Sequence, residues 1–337
     1  MPAVCYLGDR RLEVHEQERR APGAGQVEIE VAYTGICGTD LHILHGAMDG
    51  RVTFPAVLGH EMSGVVSRVG ADVEGIAPGD RVTVMPLDWC GACPACAAGH
   101  EHVCHRLDFL GIDSAGSMQS HWLAPARVVV PLPDGLPLEA AALAEPAAVA
   151  VHDVRRAGLQ AGEKAVVVGG GPIGLLIATV AAAAGADVLV LEPNEGRRAF
   201  ARELGLHAED PAGAEELVET WTGGAGAPVA FEVSGAEAGL ATAIRSLAVR
   251  GRLVVVAIHA QPPRVDLFRA FWRELTLIGA RVYRREDFEE ALALLASGAV
   301  PAAKLVTSVR PLGEAAAAFA ALERGDELKV LIDCRAA

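Results

Sequence analysis

Apolar and polar positions alternate with period two near the start of the chain and give way to unbroken apolar runs in its middle. Over 26–31 the order Gln-Val-Glu-Ile-Glu-Val sets Val27, Ile29 and Val31 on one face, and 64–69 repeats a similar short run between glycine and proline turns. Short alternating runs punctuated in this way predict a partly antiparallel, barrel-like β domain. From 165 the pattern changes. Val166, Val167 and Val168 run into Gly169-Gly170-Gly171-Pro172-Ile173-Gly174 and then a helix-favouring stretch, and 165–186 carries no charged residue. That segment is long enough to cross a bilayer. Its glycines instead predict buried strand, tight turn and buried helix. Apolar strands at 187–191, 229–233 and 252–256 alternate with helix-like segments, the order of a doubly wound parallel sheet. The expected fold class is α/β, with this middle domain spanning 151–284 after the Pro-rich passage PLPDGLPLEAAALAEP.

With 337 residues and 51% apolar content the chain can bury a large core. A net charge of −14 without a separate basic cluster argues against nucleic acid and anionic membranes as partners. The first twenty residues show neither an apolar signal core nor a lipidation motif, so a cytoplasmic protein is expected.

The turn at 169–174 satisfies GxGxxG between a strand and a helix, where a backbone without side chains can approach a pyrophosphate at a helix N-terminus. Gly169, Gly171, Pro172, Ile173 and Gly174 are the candidate contacts. Glu192 closes the next strand where a carboxylate would take the ribose hydroxyls and repel a 2′-phosphate, which favours NAD over NADP. Arg197 and Arg198 just beyond it keep NADP open; their alternative role is a solvated first helical turn.

Cys90, Cys93, Cys96 and Cys104 lie within fifteen residues. CxxCxxC followed by a fourth thiol can close a tetrahedral structural zinc site in a lobe at 88–106. Compartment disfavours disulfides, and a redox CxxC would not need the other two thiols. Spacing does not separate zinc from iron–sulfur ligation. Further metal-capable residues are scattered: Cys37 in GICGTDLH, His60 and Glu61 in LGHEMSG, Glu145 in LAEPAAVAVHD. Singly, each also reads as a buried thiol, a turn histidine, a surface acid or a helix-start carboxylate.

Together GICGTDLHILHG, VLGHEMSGVVSRVG, the four-cysteine lobe, the Glu-Pro helix and GGGPIG, in this order, make the chain resemble the zinc-dependent medium-chain dehydrogenases, most closely the polyol group of sorbitol, butanediol and threonine dehydrogenases. The resemblance covers essentially the whole chain. It implies a GroES-like, partly open β-barrel catalytic domain formed by 1–150 and 285–337, with the Rossmann domain inserted. It further implies a catalytic zinc on Cys37 and His60, with Glu61 as an exchangeable ligand and Glu145 as the further carboxylate, and a second, structural zinc in the lobe. Thr39 and His42 match the family's proton relay; their alternatives are a turn cap and a surface histidine. Asp40 is expected to fix its loop, and His45 is unassigned.

Phe54, Trp89, Phe109, Met118, Arg281 and Tyr283 are candidate substrate contacts. GARVYRRED and GSMQSHW depart from the sorbitol enzymes' pattern, which leaves the substrate open. The leading expectation is an enzyme passing hydride between a secondary alcohol of a diol or polyol and NAD to give a ketone. The alternatives are an NADPH-preferring ketone reductase or a threonine 3-dehydrogenase-like enzyme, and, from another class, a non-catalytic dinucleotide-binding protein. By the resemblance, a homodimer or homotetramer is expected, joined through the apolar 252–283 region.

Overall fold

The alternating residues at 26–31 open the long strand Gln26–Gly35, whose Val27, Ile29 and Val31 are fully buried. This strand is the hub of a seven-stranded sheet, pairing antiparallel with Glu61–Val69, His121–Pro125 and Val330–Asp333. Arg81–Val84 and Val129–Pro131 extend the sheet on one side, and Ser308–Pro311, parallel to Val330–Asp333, on the other. The hub strand outruns the alternating pattern because Tyr33, Thr34 and Gly35 pair with Asp333, Ile332 and Leu331 from the far end of the chain. A three-stranded sheet of Leu12–Glu16, Pro2–Tyr6 and Ala56–Val57 and a two-stranded one of Leu87–Asp88 and Asp108–Phe109 complete this GroES-like part.

The middle of the chain forms a six-stranded, all-parallel Rossmann sheet. Its spatial order is His207–Glu209, Asp187–Leu191, Lys164–Val168, Ala227–Glu232, Leu247–Val255, Thr276–Gly279. Helices connect most successive strands, and Val166, Leu189, Ala230, Leu253, Leu240 and Ile244 meet in one core. The uncharged stretch 165–186 folds as strand, turn and the twelve-residue helix Pro172–Ala183. No helix among the described residues is long and apolar enough to cross a membrane.

This computed structural model describes residues 1–336. The chain divides into two compact units: one of Met1–Glu145, Arg284–Ala296 and the segment from Ala302 onward, the other of Pro146–Tyr283 and Ser297–Pro301.

Candidate metal centre and dinucleotide turn

Cys37 follows the hub strand and is the N-cap of the helix Gly38–Leu44. Its Sγ accepts from the Thr39 N–H at 3.5 Å, while Asp40 Oδ2 accepts from the Cys37 N–H at 2.9 Å, so the thiol is held by a reciprocal cap. Strand register then brings in the partners. Gly35 sits opposite Glu61, the first residue of Glu61–Val69, and this pairing sets Glu61 and the preceding His60 beside Cys37. Glycine at 35 leaves room for the carboxylate in this position, since a Cβ there would lie 2.1 Å from Glu61 Oε2 and displace it. Ligand atoms of Cys37, His60 and Glu61 lie within 4.8 Å of one another. Glu145, in the first turn of the helix Ala144–Ala157, is 4% exposed and near enough for its charge to act on His60.

Two further residues complete the cluster. Asp40 is fully buried, and besides its cap its Oδ1 stands 3.7 Å from His60 Nδ1. Lys329, 4% exposed, ends the turn before Val330–Asp333; its Nζ donates to Glu61 Oε2 and, at 3.0 Å, to the Ile36 carbonyl. Burial disfavours the His60 imidazolium, but Asp40 and then Cys37 outweigh it and raise the ring's pKa to about 10. Burial likewise opposes the charge on Lys329, yet Glu61 and Cys37 push its pKa up. His60 Nδ1, Glu61 Oε1 and Asp40 Oδ1 are buried without hydrogen-bond partners among the described residues. Each such orphan costs about 1–3 kcal/mol, and a buried excess of anionic donors around an imidazole is what a divalent cation would compensate. The donor set of thiol, imidazole and carboxylate suits zinc.

Thr39 is half-buried, and His42, one turn on, is exposed. His45 pairs with Glu323, which Arg10 also engages. Phe109 lays its ring edge-on to His60 at 5.3 Å. Of the other candidate substrate contacts, Met118 and Tyr283 are fully buried packing residues, Trp89 lies under the Arg127 guanidinium, and Phe54 rests on Tyr6. Sequence reading missed Lys329 and the Asp40–His60 pairing. The signal for the first was a lysine, one of only three in the chain, inside the apolar segment LKVLID.

In the lobe the four thiols converge. Cys93 and Cys96 Sγ are 3.5 Å apart, Cys90 and Cys104 3.5 Å, Cys93 and Cys104 3.8 Å. Four sulfurs at a Zn–S length of about 2.3 Å would stand about 3.8 Å apart. The N–H groups of His105 and Arg106 donate to Cys93 and Cys104 at 3.4 and 3.3 Å. The Ala92 N–H leads in lowering the Cys90 thiol to about 6, while burial pushes Cys96 up to about 12. His100 and His105 are exposed, and among the described residues no histidine joins the thiol cluster.

In the Rossmann unit Gly169 takes φ +112°, open to glycine alone, and a Cβ on Gly174 would lie 1.9 Å from the Gly169 carbonyl oxygen. Gly171 caps the helix Pro172–Ala183 without a side chain, with Pro172 opening it and Ile173 next in its first turn, so its leading N–H groups face outward for an anion. Glu192 is 5% exposed; its Oε2 accepts from the Gly170 N–H at 2.6 Å and its Oε1 from the Asn194 N–H at 2.8 Å. Arg198 is held by Glu195 and Asp210, whereas the half-buried Arg197 contributes its N–H to the Asn194 cap.

Comparison with known proteins shows the family and the fold. Residues 23–134 match the family "Alcohol dehydrogenase GroES-like domain" and residues 172–297 the family "Zinc-binding dehydrogenase". The chain is 49% identical to the 2-dehydro-3-deoxy-L-galactonate 5-dehydrogenase of Pseudoalteromonas atlantica, covering 100% of this chain and 99% of that protein. It is 35% identical to the sorbitol dehydrogenase of Halalkalibacterium halodurans, over 96% of each. A structure from Sinorhizobium meliloti 1021, described as a zinc-binding dehydrogenase and solved with NADP, superposes with a TM-score of 0.92 at 30% identity, covering 98% of both chains.

Proposed function

This chain belongs to the zinc-dependent medium-chain dehydrogenases of the polyol group, oxidoreductases that use zinc and a nicotinamide dinucleotide, and we propose that it oxidises a secondary alcohol of a polyhydroxylated sugar acid to the ketone with NAD. The observation that carries this reading is the full-length 49% identity to an enzyme named for the 5-hydroxyl of a 2-dehydro-3-deoxy sugar acid, together with the clustered Cys37, His60 and Glu61 donors.

Cys37, His60 and one of the carboxylates Glu61 and Glu145 would hold a catalytic zinc, and the lobe cysteines a structural one. When bound, such a zinc lowers the pKa of a substrate hydroxyl by several units and polarises the product carbonyl. The residues around it set up that chemistry. Asp40 orients His60, as partners of metal-binding histidines do. Lys329 anchors the Glu61 carboxylate through its Nζ. Thr39 and His42 lie one helical turn apart on one face: Thr39 Oγ1 takes the substrate proton, and the exposed His42 ring passes it to solvent. Phe109 covers His60 with an apolar edge and keeps water from it.

The N–H groups at 169–174 take the pyrophosphate. Glu192 keeps a spare lone pair on each oxygen for ribose hydroxyls, and its charge disfavours a 2′-phosphate. The Arg197 guanidinium, which has no partner among the described residues, and the NADP-bound neighbour favour a second reading with NADP. We further propose association through the edge strand Thr276–Gly279 and the exposed Leu267, Phe268, Phe271 and Trp272 beside it; a monomer by light scattering would overturn that.

The test is absorbance at 340 nm with zinc-loaded protein, NAD or NADP, and a panel of 2-dehydro-3-deoxy sugar acids, neutral polyols, 2,3-butanediol and threonine. Turnover of a sugar acid with NAD is expected. Faster turnover of neutral polyols would remove the sugar-acid assignment, and silence throughout with dinucleotide still bound would favour a non-catalytic role.

A further inference from the structure

Glu232 ends the central strand Ala227–Glu232, has no exposed surface, and takes no part in the chemistry above. Its Oε1 accepts from Ser234 Oγ at 2.6 Å and from the N–H groups of Ser234 and Gly235 at 2.9 and 3.0 Å. Its Oε2 accepts from His259 Nε2 at 3.0 Å. The Glu232 carbonyl in turn accepts from the N–H groups of Val256 and Ala257 at 3.0 and 3.1 Å. One residue thus holds the segment after Leu247–Val255 by main chain and side chain together. With its Nε2–H on a carboxylate, the His259 ring is fixed in one tautomer, and Nδ1 presents a lone pair. That Nδ1 has no hydrogen-bond partner among the described residues, although the side chain is only 11% exposed.

The place of this pair in the sheet suggests its use. Glu232 is in register with Val168, the Val233 N–H donates to the Val168 carbonyl at 3.0 Å, and a Cβ on Gly169 would lie 3.0 Å from the Ser234 nitrogen. The Glu232 loop therefore abuts the glycine turn. In open parallel sheets a ligand occupies the crevice outside the carboxyl ends of the strands where their order reverses, here between Lys164–Val168 and Ala227–Glu232. Glu192 closes the strand on one flank of Lys164–Val168, and Glu232 closes the strand on the other. A dinucleotide with its pyrophosphate at the turn and one ribose at Glu192 sends its other half toward Glu232 and His259.

We propose that His259, held by Glu232, binds the nicotinamide half of the dinucleotide, with Nδ1 accepting a hydrogen bond from the carboxamide NH2. The proposal rests on the dinucleotide reading above. His259 is then a cofactor-binding residue specific to this loop, and Glu232 a positioning residue that acts through it.

Calorimetric titration of the full chain with NAD, with its 3-acetylpyridine analogue, which lacks the NH2 donor, and with ADP-ribose tests this directly. His259→Ala is expected to weaken NAD binding about fivefold to tenfold, the worth of one hydrogen bond. It should leave the analogue and ADP-ribose unchanged. Glu232→Gln should produce a smaller loss of the same selectivity; if it does not fold, the half-buried His259 variant decides alone. Unchanged NAD binding in His259→Ala, or equal weakening of all three ligands, would overturn the proposal. Failure of ADP-ribose to bind the unaltered protein would instead remove the dinucleotide reading itself.

Discussion

Lys329 and Glu61 form a buried ion pair at the edge of the candidate metal centre, with Lys329 Nζ anchored on its other side by the Ile36 carbonyl. The pairing exists because the last strand of the chain inserts beside Gln26–Gly35. Glu61 Oε1 has no hydrogen-bond partner among the described residues, so one oxygen of the carboxylate is held by lysine and the other is left for a cation.

Removing the lysine should therefore make stability depend on zinc. In Lys329→Met a buried carboxylate loses its counter-charge, a change that costs about 3–5 kcal/mol. Zinc can restore most of it by binding Glu61. Thermal unfolding with and without a chelator is expected to show a far larger zinc-dependent rise in Tm for the variant than for the unaltered protein, and Lys329→Arg should behave nearly normally. An equal loss with and without zinc would mean that Lys329 only packs.

The outer link of the proton route makes a second prediction. His42→Ala leaves Thr39 in place but removes the group that carries the proton to solvent. Turnover should fall on the order of 10²-fold or less, most strongly at low pH, where dissolved base is too scarce to stand in. A kcat–pH profile that coincides with the unaltered protein's would assign His42 to the surface alone.

What could be read from sequence was local, and what could not was paired across the chain. The lobe cysteines and the glycine turn each occupy a few consecutive residues, so spacing alone located them. Cys37, His60 and Glu61 could be collected only through resemblance to a family, because the register Gly35 opposite Glu61 is a property of the folded sheet. The pairing of Lys329 with Glu61 was invisible for the same reason. Asp40 was expected to fix its loop and does so through the Cys37 N–H, but its approach to His60 depends on a second segment. Met118 and Tyr283 were candidates because aromatic and long apolar residues line pockets and cores alike; burial assigns them to the core.

Glu28 should govern the acid limit of the first unit. Its side chain is buried in the hub strand, and burial alone would favour the neutral acid. Arg19, which binds both oxygens at 2.9 and 2.8 Å, together with Arg68 and Ser67, outweighs this and holds the carboxyl well below the usual carboxylate range. A lowered folded-state pKa means that the unfolded chain binds the proton more readily, so the stabilisation is full above about pH 4.3 and is lost as pH falls below it. Urea midpoints between pH 7 and pH 3 should fall less steeply for Glu28→Gln than for the unaltered chain. At pH 7 that variant should be less stable by about 2 kcal/mol. Parallel pH profiles would show that the cluster contributes nothing to acid sensitivity.

The lobe offers the sharpest separation of the two proposed zinc sites. Cys104 Sγ lies 3.5 Å from Cys90 and 3.8 Å from Cys93 and accepts from the N–H groups of Cys90 and Arg106. Cys104→Ala takes one of four thiolates from a closed site whose folding depends on the metal, yet touches none of Cys37, His60, Glu61 or Glu145. Metal analysis after gel filtration should find one zinc per chain where the unaltered protein holds two, with unfolding of the 88–106 segment detected as faster amide exchange there. Cys37→Ala should also lose one zinc but leave exchange in the lobe slow. If both variants lost the same ion, or if iron rather than zinc were found on the four thiols, the assignment of a structural zinc to this lobe would fall while that of the Cys37 centre could be judged separately.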